Sequence, residues 1–204
     1  MILEKLRDSS EDEMILTFLK GELNSIRFDK KLRQILYQLK LDTNIIFNGN
    51  LDSKEENNLR KKIIKEYRGY PNKELFGNFP YIHKWEFVKF NRNDLEKLFY
   101  IDYDYWNKLS KGTSKPKIAA STIADGVEIF GVSNEPFITG TKIIDTISFP
   151  PIILITCNNK KFLIIEGHSR ATIYAMRPDK FEGAFGFIGY CSIEDMKKYD
   201  SRML

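Results

Sequence analysis

Ile164-Ile165-Glu166-Gly167-His168-Ser169-Arg170-Ala171-Thr172 joins two kinds of local structure. An apolar run from Phe162 to Ile165 stops at an acid and a glycine, and a helical pattern follows from Arg170 to Met176. A strand that feeds a helix through a glycine leaves the first-turn backbone N–H groups free, and the helix dipole adds partial positive charge there. Such a turn suits an anion, phosphate above all. Gly167 allows close approach, Ser169 offers a hydroxyl, and Arg170 offers a charged fork that matches phosphate oxygens.

The pattern extends outward from this turn. Upstream, Phe149-Pro150-Pro151 leads into Ile152 to Thr156, an apolar β-branched run, and Asn158-Asn159-Lys160 makes a hairpin turn to Phe162. Before it, Ile118 to Val127 (closed by Gly126) and Phe137 to Ile147 have helical spacing, with Glu128 to Val132 as a short strand. Downstream, Gly183 to Tyr190 is a last strand, and Ser192 with Asp195 starts a terminal helix. Helix, hairpin, turn, helix, strand and helix in that order predict a small α+β module, a mixed sheet with helices, over residues 113–204.

Residues 1–68 read as a helical extension. Ser10 with Glu13 is a capping-box pattern ahead of Met14, Ile15, Phe18, Leu19 and Leu23, which share one helix face. Leu32, Ile35, Leu36 and Leu39 repeat the spacing, and Ser53 with Glu56 caps a third segment through Leu59, Ile63, Ile64 and Tyr67. Asn48-Gly49-Asn50 is a turn between them. Residues 69–112 read as an aromatic-rich connector broken by Gly69, Pro71, Gly77 and Pro80. Its rings and acids, from Tyr70 to Tyr103-Asp104-Tyr105-Trp106, fit either a cover over the core or a ligand pocket with rings stacked on a base.

Bulk properties bound the function. The chain has 204 residues, 42% of them hydrophobic, which is enough for a packed core. Its net charge of +4 comes from 32 basic and 28 acidic residues without a long basic run, so nucleic acid is compatible but not singled out. Cys157 and Cys191 are the only cysteines, and without a CxxC or Cys/His cluster they argue against zinc and for a reduced, cytoplasmic setting. Met1 to Ser10 has no signal core, and no apolar stretch approaches the ~20 residues that span a bilayer, so no membrane partner is expected. The abundance of Lys, Asn and Ile suggests an AT-rich bacterial or phage genome.

From Lys142 to Lys198 the chain resembles the ParB/sulfiredoxin superfamily. The pieces that carry the likeness are Ile144-Asp145-Thr146-Ile147, Pro150-Pro151-Ile152, the hairpin, Glu166-Gly167-His168-Ser169-Arg170, and Ser192-Ile193-Glu194-Asp195-Met196. The resemblance implies that Gly167, His168, Ser169 and Arg170 contact nucleotide phosphates. Sulfiredoxins carry their catalytic cysteine where this chain has His168, so thiol-based reduction of a sulfinic acid is not expected. Chromosome-partitioning members carry a helix-turn-helix domain after the module, whereas this chain ends at Leu204, which argues against centromere binding. The Glu-Gly-His-x-Arg form is closest to members resembling free serine kinases, which use a nucleotide to phosphorylate a small hydroxyl compound.

The resulting expectation is a nucleotide-binding protein that takes ATP or another nucleoside triphosphate with Mg²⁺ and has a small hydroxyl compound as acceptor. Glu166 and His168 are the candidate catalytic residues, and Glu166 with Asp145 the candidate Mg²⁺ ligands. The bland alternative for Arg170 is a salt bridge to Asp145 or Glu166, and His83 reads as structural. Asp102 and Asp104 are weaker candidates on spacing. The rival function is a nucleic-acid-associated or regulatory protein that binds without catalysis.

Overall fold

The computed structural model describes residues 3–73 and 76–204; Met1, Ile2, Glu74 and Leu75 lie outside them. The chain forms two compact units, Ser9–Pro80 and a second that joins Met1–Asp8 to Tyr81–Leu204.

The helical unit holds α1 (Glu11–Leu23), α2 (Asp29–Gln38), α3 (Asn44–Phe47) and α4 (Lys54–Arg68). Ser10 and Ser53 cap α1 and α4 by accepting from the N–H groups of Glu13 and Glu56. Glu13 accepts from the Ser9 hydroxyl, and Glu56 accepts from Asn50 N–H and Arg60. Helices α1, α2 and α4 pack pairwise over Ile15, Leu19, Leu32, Leu36, Ile63 and Ile64. Arg60 is fully buried among them, its guanidinium donating to Glu56, Asn57 and the carbonyls of Ile45 and Asn50.

The other unit is built on a six-stranded mixed sheet of order β1-β2-β6-β4-β5-β3. The strands are β1 (Glu4–Ser9), β2 (Ile82–Phe90), β3 (Leu98–Tyr100), β4 (Ile152–Thr156), β5 (Phe162–Glu166) and β6 (Ala184–Cys191). Beside them lie α5 (Asp104–Leu109), α6 (Pro116–Ala124), α7 (Glu135–Ile143), α8 (His168–Met176) and α9 (Ile193–Tyr199). β2 runs antiparallel to β6, β4 parallel to β6, β5 antiparallel to β4 and β3 parallel to β5. A core of Val88, Phe90, Leu98, Tyr100, Ile152, Leu154, Phe162, Ile164 and Ile188 faces α6 and α8 through Ala119, Ile123, Ala171 and Ile173.

The α+β class stands, with three corrections in detail. Glu4–Ser9 is an edge strand where the sequence predicts helix: its side chains are nearly all exposed, so it has no apolar pattern to announce it. The expected connector supplies β2, β3 and α5 to the sheet unit. Glu128 to Val132 is a tight turn closed by one bridge between Ile129 and Val132, with Phe130 and Gly131 at positive φ. The expected hairpin forms as β4 and β5, its turn pinned by Thr156, whose hydroxyl accepts from Asn158 and Asn159 and donates to the Lys161 carbonyl.

Candidate functional site

β5 ends at Glu166, Gly167 turns the chain, and α8 starts at His168. Gly167 has φ +101°, a left-handed value that favours glycine, and a Cβ there would lie 3.0 Å from Ile152 Cγ1 and 3.1 Å from Arg170 Nε. No side chain caps α8. The Gly167 N–H donates to Glu166 Oε1 at 3.1 Å, and among the described residues no acceptor takes the N–H groups of His168, Ser169 or Arg170. Three backbone donors and the exposed Ser169 hydroxyl thus stand at one helix N-terminus.

Arg170 folds back over the turn. Its Nη1 donates to the Pro150 carbonyl at 3.0 Å, and its Nη2 lies 3.6 Å from Glu166 Oε1. The side chain keeps 18% exposure. The salt bridge anticipated as the bland alternative is therefore present, with Glu166 and in a loose geometry.

His168 divides between two surroundings. Its backbone belongs to the turn, while its ring stacks on Trp106 (5.3 Å, 13°) and lies 5.9 Å from Tyr100, which itself stacks on Trp106 at 4.7 Å. Tyr100 shares a 2.6 Å hydrogen bond with Thr172, whose hydroxyl donates to the His168 carbonyl. Desolvation, with the positive charge of Arg170, pushes the imidazole pKa down to about 3. The ring is neutral at physiological pH, and its buried Nε2 has no hydrogen-bond partner. The side chain is thus placed as a packing group, and its backbone N–H belongs to the uncapped first turn of α8.

No protein-family model, curated protein sequence or solved structure matches the chain.

Among the described residues, the two expected metal ligands have different partners. Asp145 pairs with Lys180 at 3.4 Å, both half-exposed, while Glu166 faces Gly167 and Arg170. Asp102 accepts from Asn107 at 2.6 Å, and Asp104 sits in the first turn of α5. A cavity of about 610 Å³ opens between the loops 144–149 and 179–185, with Tyr174 and Phe181 on its wall. Tyr174 follows Arg170 by one helical turn on α8, and Phe149 precedes the proline that Arg170 grips. The sequence pattern singled out the turn and the segment 144–147 but not this cavity, because the lining segments 144–149 and 179–185 are far apart in the chain.

Proposed function

We propose that the chain binds a nucleotide, with its phosphates at the Gly167–Arg170 turn. The uncapped first turn of α8 with its arginine carries this reading: three N–H donors, a hydroxyl and a guanidinium belong to one turn, at a glycine where a Cβ would crowd the Ile152 and Arg170 side chains. The cavity one helical turn along α8 offers room for the remainder of the ligand. The likeness of Glu166-Gly167-His168-Ser169-Arg170 to the ParB/sulfiredoxin turn supports the same assignment.

The reaction this reading extends to is phosphoryl transfer to a small hydroxyl compound. A nucleoside triphosphate would supply the phosphoryl group. Glu166, which ends β5, is the carboxylate that in this reading accepts the acceptor's proton or meets a phosphate-bound Mg²⁺. His168, neutral and stacked, positions the turn instead of moving a proton.

The test is a titration of the protein with a fluorescent ATP analogue, with and without Mg²⁺. Arg170→Ala weakens binding at least about tenfold, the scale of a lost charge-assisted hydrogen bond. Glu166→Gln tightens Mg²⁺-free binding about fivefold, because a like charge leaves the phosphate's surroundings. Equal affinities for the parent and Arg170→Ala would place the nucleotide elsewhere or nowhere.

A further inference from the structure

α2 is amphipathic, and its outward side has an unusual composition. Leu32, Ile35 and Leu36 are buried, while Lys30, Lys31, Arg33, Gln34, Tyr37 and Gln38 are exposed. At 100° per residue these six form one continuous arc of about 160°. The arc holds three cations, two amides, a phenol and no carboxylate. Arg27 and Lys40, both exposed, extend the positive charge past the two ends of the helix. Asp29, at the first position of α2, is the acid nearest the arc and pairs with Arg33 at 3.6 Å.

A merely solvated face mixes signs, as elsewhere in this chain. The exposed side of α4 alternates Lys54, Lys61, Lys62 and Lys65 with Glu55 and Glu66, and α9 sets Glu194 and Asp195 against Lys197 and Lys198. Unlike those mixed faces, the arc of α2 carries charge of one sign only. Tyr37 is 84% exposed and Ile26, in the turn before α2, 98% exposed, although both bear large apolar surface.

We propose that the exposed face of α2 binds double-stranded DNA. The three cations complement phosphates, Gln34 and Gln38 pair with the adenine edge, and Tyr37 supplies a phosphate donor or an apolar contact to thymine. A ten-residue helix is about 15 Å long and presents its outer arc at the width of the B-form major groove, whereas the deep, narrow groove of A-form RNA excludes a helix. α1 and α4 both pack against α2. This surface is independent of the turn at Gly167.

The test is fluorescence anisotropy of the full chain with a labelled duplex of about 21 base pairs, two helical turns, over ~50 to ~200 mM salt. Three phosphate contacts give a log–log salt slope near −2.7, or about a 40-fold loss of affinity across that range. Lys30→Ala/Lys31→Ala/Arg33→Ala removes that slope, and Lys30→Gln alone reduces it by about one. Gln34→Ala/Tyr37→Ala keeps the slope and narrows the affinity difference between duplex sequences. All are exposed positions, and far-UV circular dichroism confirms the fold of each variant. No duplex binding at ~50 mM salt, an unchanged slope in the triple variant, or tighter binding to a single-stranded RNA of equal length would overturn the proposal.

Discussion

His168 shows how one side chain links packing to pH. Buried against Trp106 and Tyr100, its imidazole stays neutral down to about pH 3, whereas an unfolded chain protonates it near pH 6.5. Between those values the unfolded state binds the extra proton, so stability falls as pH drops through this window. The slope from this residue approaches about 1.4 kcal/mol per pH unit below pH ~6. Urea unfolding at pH 7 and pH 5 checks it: the parent loses more stability between the two than His168→Gln, and parallel losses would contradict the account. At this scale the sequence identified the turn residues, because glycine, hydroxyl and arginine at a strand–helix junction carry their chemistry with them. It did not reveal the ring stack on His168 or the grip of Arg170 on Pro150, which depend on residues 62 and 20 positions away in the chain.

Elements with local signals were legible, and elements defined by their neighbours were not. Ser10, Ser53 and Ser192 each cap the helix they mark, and Ile152–Thr156 and Phe162–Glu166 form the expected hairpin. β1 and β2 escaped notice because Glu4–Ser9 has no apolar face and Ile82–Phe90 interleaves lysines and an acid with its aromatics. Glu86 in β2 is tolerated because Lys5, Lys84 and Tyr190 surround it. α7 packs on α8, the helix of the candidate site, with Gly140 close against Ile173. A Cβ there would sit 2.3 Å from Ile173 Cδ1 and 2.9 Å from its Cγ1. Gly140→Ala therefore overpacks the contact at a cost of about 1–3 kcal/mol, offset by ~1 kcal/mol of helix propensity. In an Ile173→Val background, which lacks Cδ1, the same substitution costs less. A double-mutant cycle reads the difference, and strict additivity would contradict this contact.

On the scale of the whole molecule, the sheet unit is discontinuous in sequence. Met1–Asp8 and Tyr81–Leu204 belong together, and the helical unit is inserted between them. A reading along the chain meets helices first and assigns the N-terminus to them, since no local pattern reports that a strand completes a sheet whose other members begin more than 70 residues later. None of the helices of the described residues is long and apolar enough to cross a membrane. A ligand held at the Gly167–Arg170 turn stabilises the sheet unit as a whole, so global unfolding reports on a local contact. The most direct measurement is thermal unfolding of the parent and Arg170→Ala with ATP, CTP, GTP and ADP, each with and without Mg²⁺. At a hundred times Kd, binding adds about 2.7 kcal/mol and raises the midpoint by a few degrees. The account predicts such a rise with at least one nucleotide in the parent and its loss in Arg170→Ala; no rise with any nucleotide, or the same rise in both proteins, would contradict it.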